Sequence, residues 1–364
     1  MFEISTGSLL NSKELQSGNI PRISAKSDNN GVIGYYDTKY NKNARHFENF
    51  ISINFFGDCF YHPYLASIEM KVHILKLKNH IFTKRSGIFI ISILHRVFKN
   101  RFTYGAQLSS SKLKNDDFYI LLPIKNGDID FEFMESFVAE LEAERVAELE
   151  AYLAAASLKD YELTTAELSA LSKFENYNWG EFRIGDLFIR LNTKKLPYKA
   201  KNLPTNIQNE FNLPCLTSSF NNQGLNYFAP RAGATILKNV ISLPSNSDVY
   251  RGYFQSRDFT VLSDAYVIDW TNKETKHKIQ SYLFSLTSIN KVTDLPIYSY
   301  KNKLGGWNVV RNKLIQLPIN KDGEIDFEFM NDFIKAIEKL VIKDVVIYAE
   351  HKIQATKGVI SSNI

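Results

Sequence analysis

The segment from Gly127 to Met134 recurs almost unchanged from Gly323 to Met330, and this repetition constrains the fold more than any other feature. The first copy reads Gly-Asp-Ile-Asp-Phe-Glu-Phe-Met, and the second differs only by Glu324 in place of the first aspartate. Each copy follows a Leu-Pro-Ile tripeptide, and the copies begin 196 residues apart. Solenoid units are only about 20–50 residues long. The sequence therefore predicts two copies of a whole domain, each followed by a helix.

Both predicted helices carry an apolar stripe. Their apolar residues recur at intervals of three and four, which is typical of a coiled-coil seam. A helix of about 25–28 residues would be roughly 40 Å long, since each residue adds about 1.5 Å. We expect these spacer helices to make the seam and the partner contacts through Met134, Phe137, Leu141, Met330, Phe333 and Ile337.

Charge alternates along the chain when it is divided at the Leu-Pro-Ile motifs and at Trp179. Residues 1–122 hold 16 Lys and Arg against 9 Asp and Glu, and residues 179–317 hold 18 against 9. The intervening residues 123–178 hold 4 against 13, and residues 318–364 hold 6 against 8. We therefore predict two basic domains alternating with two acidic helical segments. A basic domain indicates a polyanionic partner, and an uneven surface charge without any ligand is the alternative.

The basic segments are expected to be α/β domains, which gives a mixed α/β (α+β) chain. In the first, Ile51–Phe56 and Lys71–Leu75 are predicted strands because they are rich in β-branched and aromatic residues. Ile88–Ile91 is also predicted as a strand, and it could instead continue into a helix through Leu94 and Phe98. After the first long helix, Leu158–Leu171 is predicted as a shorter helix leading to the second domain.

Short motifs of the first domain return in the second. Asn19–Ser24 is echoed by Asn212–Thr217, and each is followed at equal spacing by a polar turn that ends in glycine. Similar matches pair Phe2–Ile4 with Phe182–Ile184, and Ile51–Ile53 with Ile241–Leu243, while the residues between these motifs diverge. Shared framework motifs separated by different residues are expected when one scaffold recognises two different ligands.

The arrangement resembles the specificity subunit of type I restriction–modification systems. The resemblance rests on the sequence Trp179–Phe188 at the start of a domain and on the two Leu-Pro-Ile…Ile-Asp-Phe-Glu-Phe-Met joints. The sequence of these joints is similar to that of specificity subunits of the type IIB branch, in which the partner chain combines nuclease and methylase. The first domain, by contrast, begins almost at Met1 without a counterpart of Trp179.

This resemblance implies a non-catalytic protein in which each basic domain binds one half of a split double-stranded DNA site. The spacer helices would pack as an antiparallel coiled coil, set the gap between the half-sites and dock two partner subunits. Those partners would be methyltransferases or nuclease–methyltransferase fusions, and they would carry S-adenosylmethionine. No cofactor is expected on this chain.

The predicted DNA contacts are basic residues and amides, because Lys and Arg attract phosphates while Asn, Gln and Arg read base edges. The Asn and Gln residues have a second interpretation, which is that they supply turns with positive φ. The predicted contacts are Arg22, Lys26, Asn29, Asn30, Arg85, Arg96, Lys99, Arg101, Asn221, Asn222, Gln223, Arg231, Arg251, Arg257, Lys301 and Lys303.

Two other functions are considered. Asp58, Glu69 and Lys71 have the outline of a metal-dependent nuclease site, although the second half has no counterpart and this spacing arises often by chance. The chain could instead be a scaffold that joins proteins through its acidic helices without binding DNA. The sequence has no Asn-Pro-Pro-Tyr or Asp-Pro-Pro-Tyr motif, so we do not expect it to methylate alone.

The remaining sequence features indicate a soluble chain without a metal. His62, His73 and His80 lack ligand spacing and are expected to be core or surface residues. Cys59 and Cys215 indicate neither a disulfide framework nor a zinc site. No apolar run reaches membrane-spanning length and no signal peptide is recognised, so the expected location is the cytoplasm.

Overall fold

The computed structural model describes residues 1–115, 118–272 and 277–361, with side chains at all of these positions except 14 and 356–361. The chain divides into two compact units, of which the first comprises residues 1–152 and 349–364 and the second residues 153–348. None of the helices in the described ranges has both the length and the apolarity that a bilayer crossing requires.

The first unit contains two four-stranded sheets and the start of a long helix. Its strands are β1 (Phe2–Thr6), β2 (Ser17–Ile23), β3 (Val32–Tyr36), β4 (His46–Phe47), β5 (Phe50–Ile53), β6 (Cys59–His62), β7 (Ala66–Ile68), β8 (His73–Leu77), β9 (Ile124–Lys125) and β10 (Asp128–Ile129). Its helices are α1 (Lys84–Phe98), α2 (Ser110–Asn115) and α3 (Phe131–Ala155). The sheets have the orders β1-β8-β5-β6 and β3-β2-β7-β4, while β9 and β10 form a hairpin before α3.

The second unit repeats this plan. Its strands are β11 (Trp179–Arg183), β12 (Phe188–Arg190), β13 (Phe211–Leu216), β14 (Leu225–Pro230), β15 (Val240–Pro244), β16 (Tyr253–Gln255), β17 (Thr260–Val261), β18 (Ala265–Trp270) and β19 (Leu314–Pro318). Its helices are α4 (Thr165–Lys173), α5 (Ile184–Leu187), α6 (Ile279–Thr293), α7 (Trp307–Val310) and α8 (Phe327–Ser361). The main sheets have the orders β12-β18-β15-β16 and β14-β13-β17.

Strand pairing confirms that the two units share one scaffold. In the first unit Ser52 of β5 lies opposite Ile74 of β8, and in the second Ser242 of β15 lies opposite Val267 of β18. The other sheet contains the same parallel pair in each unit, β2 with β7 and β13 with β17. The predicted match of Ile51–Ile53 with Ile241–Leu243 is therefore confirmed, because a slip of one residue would exchange the two faces of the strand.

The predicted match of Phe2–Ile4 with Phe182–Ile184 is wrong. Phe2 begins the edge strand that pairs with β8, and the equivalent edge strand next to β18 begins at Phe188. Phe182 belongs instead to β11, which pairs with β19 in a separate two-stranded sheet. The described residues of the first unit contain no strand equivalent to β11.

Two predicted elements differ from the structure. Ile88–Ile91 is not a strand but part of α1, where Ile90, Leu94 and Phe98 are buried at helical spacing. Thr83 begins this helix with a capping box that it shares with Ser86, which satisfies exposed backbone N–H groups at the first turn. The helix predicted over Leu158–Leu171 begins later, since Thr164 caps α4 with Glu167 in the same manner.

The long helices continue directly from the core of each unit. Met134 of α3 and Met330 of α8 are fully buried, and each belongs to the apolar core around the first sheet of its unit. At about 1.5 Å per residue, the 25 residues of α3 extend roughly 37 Å, while the 35 residues of α8 extend roughly 52 Å. The first length agrees with the prediction, and the second exceeds it.

Candidate nucleic-acid interface

Each unit presents a polar turn between the first two strands of its second sheet. Asn29 and Asn30 have φ values of 47° and 51°, while Asn222 and Gln223 have φ values of 47° and 54°. The turns end at equivalent glycines, and in each the side-chain amide of the second residue of the motif donates to the first residue of the next strand. These contacts are Asn29 Nδ2 to Val32 O at 3.1 Å and Asn222 Nδ2 to Leu225 O at 3.2 Å. The interpretation of these residues as turn formers is confirmed.

The side chains of these turns are nonetheless exposed. Amides that shape a turn through one hydrogen bond keep donors and acceptors for a ligand, since an asparagine side chain offers two N–H groups and an oxygen. Asn30 and Asn221 make no capping bond of this kind. A role in base reading therefore stays a prediction for both turns.

Three parts of the first unit meet at the end where this turn lies. Ser27 Oγ donates to Asp58 Oδ2 at 2.5 Å, and Asn54 Nδ2 donates to Ala25 O at 3.1 Å. The loop between β5 and β6 therefore holds the turn. The same loop contacts the carboxyl-terminal end of α1, because a Cβ at Gly57, whose φ is +91°, would lie only 2.9 Å from Cβ of Phe98.

Arg96, Lys99 and Arg101 are exposed cations at this end of the first unit. Arg96 lies in the last turn of α1 and Lys99 caps it, so both charges complement the partial negative charge of the helix terminus. Lys26, beside the polar turn, is also exposed and forms an ion pair of 3.1 Å with Asp28. The helix terminus thus brings together cations that are distant in sequence from the turn.

The second unit assembles its corresponding end from equivalent parts. Tyr253 Oη donates to Phe220 O at 3.1 Å and Gln255 Nε2 to Gln223 O at 3.3 Å, so β16 holds the turn. Gly252 N donates to Asn290 Oδ1 at 2.8 Å, which attaches the start of β16 to α6. The geometry of turn, strand and helix end is shared by the two units.

The cations of the second unit are arranged differently around this shared geometry. Arg257 follows β16 and is exposed, while Arg231 forms an ion pair of 3.0 Å with Asp258. Arg251 precedes β16, and its guanidinium lies 2.6 Å from Asp294, which follows α6. These partners hold two of the three arginines in fixed positions but leave them about half exposed.

A further loop brings the two predicted lysines to the same part of the second unit. Tyr300 N donates to Asp248 Oδ1 at 2.9 Å, which fixes the loop beside the segment that leads into β16. Lys301 is exposed, and Lys303 places its ammonium group 4.8 Å from the centre of the Tyr300 ring. None of the basic residues predicted to contact DNA in the first unit lies at a place that matches this loop.

Arg22 does not belong to this exposed set. Its side chain is 1% exposed, and its guanidinium donates to Ser67 Oγ at 2.8 Å and to Ser8 O at 3.2 Å. The equivalent position in β13 is Cys215, which is also buried. The strand position therefore faces inward in both units, and a DNA contact from Arg22 conflicts with its burial.

Arg85 also has a structural role. It lies in the first turn of α1, and its Nε lies 3.1 Å from Oε2 of Glu142 on α3. At the same place in the second unit Gln280 of α6 donates to Glu338 of α8 at 3.2 Å. Because a neutral glutamine makes the equivalent contact, the pair serves to join the domain to its long helix in both units.

The residues considered for a nuclease have other contacts. Asp58 accepts hydrogen bonds from Ser27 and Asn54, and the ammonium group of Lys71 lies 5.7 Å from the centre of the Phe55 ring. Glu69 directly follows β7 and forms an isolated parallel β-bridge with Ser8. Across the described ranges, no three His, Cys, Asp or Glu side chains are grouped so that they could hold a metal ion.

His62 and His73 are core histidines. His62 is fully buried, and its Nε2 lies 2.8 Å from Oγ of Ser52. Burial lowers the pKa of His62 to about 4, because the protein interior disfavours the imidazolium. Burial also lowers the pKa of His73, which lies 3.1 Å from Ser110 Oγ. His80 stacks on Phe131 at 3.9 Å between ring centres.

The sequence did not predict the roles of three aromatic residues. Phe220 stands directly before the second polar turn and is 48% exposed. Phe174 and Tyr177 stack on α8, although the sequence indicates only that this stretch connects the domains. Only the spacing of Phe174 and Tyr177 before Trp179 could have indicated a packed segment.

Comparison with known proteins relates the chain to one family. Residues 1–151 match the Type I restriction modification DNA specificity domain. The Type II restriction enzyme BgcI specificity subunit S.BcgI of Heyndrickxia coagulans is 34% identical over 147 residues, which represent 39% of this chain and 41% of that subunit. The aligned part thus spans less than half of this relative.

The fold comparison covers nearly the whole chain. The S subunit of a type I restriction–modification system from M. genitalium aligns with 99% of this chain and 92% of its own length, with a TM-score of 0.58 and 14% identity. The resemblance to specificity subunits that the repeated joints indicate is confirmed, as is the mixed α/β fold with two domains. The packing of the spacer helices against each other stays a prediction.

Proposed function

We propose that this chain is a non-catalytic DNA-specificity subunit of a restriction–modification complex. Each α/β domain would bind one half of a bipartite double-stranded target. One observation carries this proposal. Both units have the same arrangement of a polar turn, a strand and a helix terminus, and they place different cations around it. If the halves read the same sequence, equivalent positions would be expected to carry equivalent side chains.

In the first domain the proposed contacts are Lys26, Asn29, Asn30 and the exposed cations at the carboxyl-terminal end of α1. In the second they are the turn residues with the three arginines and two lysines described above. Cations supply affinity for phosphates without regard to sequence, while amides and arginines can pair with base edges. The exposed Phe220 could pack on sugars or thymine methyl groups beside the second turn.

The proposed partners are methyltransferase or fused nuclease–methyltransferase subunits, two per chain, docked on α3 and α8. The exposed apolar residues of these helices support this proposal, since Phe137, Leu141 and Ile337 are 43%, 43% and 38% exposed. S-adenosylmethionine would be bound by the partner. We also place the chain in the cytoplasm, where it would meet both its DNA and its partner.

Selection of bound fragments from a random DNA pool, with the partner present, tests this function. Two short conserved sequences separated by a gap of fixed length are the expected result. If about eight phosphates are contacted in all, the logarithm of affinity should fall against that of salt concentration with a slope near −7. One continuous motif, or no enrichment, would contradict the proposal, and binding without salt dependence would contradict the assigned cations.

A further inference from the structure

The joint between domain and long helix has the same aromatic core in both units. Phe89 of α1 meets Phe137 of α3 edge-on at 5.8 Å between ring centres. In the second unit Phe284 of α6 meets Phe333 of α8 edge-on at 5.9 Å. The preceding phenylalanine of each long helix stacks on this ring at about the same distance, 5.9 Å in α3 and 6.1 Å in α8.

In the second unit a short segment covers this aromatic core. Phe174 stacks on Phe333 at 4.3 Å, and Tyr177 stacks on Phe329 at 3.7 Å. The hydroxyl group of Tyr177 also donates to Asp326 Oδ2 at 2.7 Å. Burial, together with this hydrogen bond, raises the pKa of Tyr177 to about 12, so the phenol keeps its proton at neutral pH. Phe329 is consequently only 7% exposed.

In the first unit the equivalent face is open. Phe133 and Phe137 are 48% and 43% exposed, and Leu141 continues the apolar surface one turn further. Asp130 occupies the position of Asp326, and its Oδ1 accepts the N–H of Phe133 at 2.8 Å as Asp326 Oδ1 accepts that of Phe329. Within the described residues, Oδ2 of Asp130 accepts no hydrogen bond from a tyrosine.

No described residue of the first unit replaces the covering segment. Phe174, Tyr177 and β11 precede β12, the strand equivalent to β1, and among the described residues the ring contacts of Phe133 and Phe137 are with each other and with Phe89. Phe174 and Tyr177 of this chain already stack on α8. A face of stacked phenylalanines with an acceptor beside it therefore stays exposed in the first unit.

We propose that the surface formed by Asp130, Phe133 and Phe137 is a docking site for a segment of a partner polypeptide that carries two aromatic side chains three residues apart. The second of these is a tyrosine, whose hydroxyl donates to Asp130 as Tyr177 donates to Asp326. The first stacks on Phe137 as Phe174 stacks on Phe333. The occupant is specified by the second unit, where the same receptor residues already hold such a segment.

This inference concerns a protein contact and does not depend on DNA recognition. Stacking of the two rings removes large apolar areas from water, and aromatic pairs add about 0.5–1.5 kcal/mol beyond that burial. The tyrosine hydroxyl adds direction, since a hydrogen bond to a carboxylate is stronger than one between neutral groups. The combination favours one orientation of the bound segment.

A peptide with the sequence of residues 164–181 is the probe for this site. With a fluorescent label, it should bind the 364-residue chain saturably, as measured by anisotropy. Phe133→Glu should weaken binding at least tenfold because it places a charge in the stack. Leu340→Glu is the matched control, since Leu340 is also 48% exposed on a long helix, and it should leave binding unchanged.

Changes in the peptide test the two aromatic positions independently. Peptides carrying Phe174→Ala or Tyr177→Ala should each bind at least tenfold more weakly, and Tyr177→Phe should lose affinity only where Asp130 is intact. Absence of binding, or equal binding to the Phe133→Glu chain, would overturn the proposal. Sedimentation velocity identifies another occupant: a dimer of the wild-type chain that Phe133→Glu dissociates would show that a second copy fills the site.

Discussion

The two halves of the chain place different side chains at equivalent positions of one scaffold. His62 of β6 and Gln255 of β16 both hydrogen-bond the serine of the neighbouring strand, Ser52 at 2.8 Å and Ser242 at 3.0 Å. Arg85 and Gln280 both bind a glutamate of the long helix. The geometry of each contact is retained while the side chain that makes it changes. Strand register and helix joints thus tolerate different side chains, which leaves each half free to acquire its own ligand.

The largest difference between the halves is expected from phenylalanine replacement on the long helices. Phe329→Glu places a carboxylate under Tyr177 at a position that is 7% exposed, and it should lower the free energy of unfolding by about 3–5 kcal/mol. Phe133→Glu changes the equivalent residue at 48% exposure and should alter stability by no more than about 0.5–1 kcal/mol. Urea denaturation of both variants checks the contrast. Equal losses would show that the first face is covered.

A pH dependence of folding stability is expected from the buried histidines of the first domain. The folded pKa of His62 is about 4 and its ordinary value is 6.5, so the unfolded chain takes up the proton first as the pH falls. Stability is therefore complete above about pH 6.5 and is lost progressively towards pH 4, by about 3 kcal/mol. The lowered pKa of His73 adds a loss in the same direction.

His62→Gln copies the residue of the second domain and provides the control. The amide should keep the hydrogen bond to Ser52, as Gln255 does to Ser242, without titrating. Denaturation curves between pH 4 and pH 7 should then show a smaller loss than in the wild type. An unchanged pH dependence would show that the pKa of His62 is the same in the folded and the unfolded chain.

The cations at the carboxyl-terminal end of α1 should affect DNA binding without affecting stability. Replacing Arg96, Lys99 and Arg101 with alanine removes three exposed charges. If all three touch phosphate, the slope of log affinity against log salt concentration should become shallower by about 3, since each contact adds roughly 0.9. Titration of labelled DNA at several salt concentrations measures this slope. An unchanged slope would remove this helix end from the interface.

Arg85 should give the smallest effect and serves as a reference for those cations. Its ion pair with Glu142 is partly exposed, with side-chain exposures of 43% and 35%, so its loss should cost about 0.2–1 kcal/mol of stability. Arg85→Gln copies the second half and should recover most of that cost relative to Arg85→Ala. Neither change should alter the salt slope of DNA binding. A slope that falls by about 0.9 would instead make Arg85 a phosphate contact.

Sequence reasoning predicted the parts of the fold that depend on short-range pattern. The duplicated joint before α3 and α8 could be read directly because the same residues recur in the same order. Ile51–Ile53 and Ile241–Leu243 could be matched since alternation with period two fixes which side chains face inward. The match of Phe2 with Phe182 failed because two strands that contain a phenylalanine, β11 and β12, lie close together in the sequence of the second half. Only their pairing partners in three dimensions distinguish them.

The candidate interface was predictable only in part. The polar turns were recognised because asparagine and glycine supply positive φ. The burial of Arg22 could not be predicted from sequence. A shift of one position along a strand decides whether an arginine faces solvent or faces the interior, where Arg22 bonds a serine and a carbonyl group. Arg85 likewise depends on Glu142, which lies 57 residues away in the sequence. Long-range contacts of this kind leave no local signal.

The most direct test of two independent recognition domains replaces the second with the first. The equivalence of Phe2 with Phe188 and of Leu122 with Leu317 defines the exchange, in which residues 2–122 take the place of residues 188–317. Sequences bound by this chain, selected from a random DNA pool with the partner present, should contain the half-site of the first domain twice, with the gap unchanged. Retention of the original second half-site in a folded chimera would contradict the account, because the replaced residues could then not be the ones that read it.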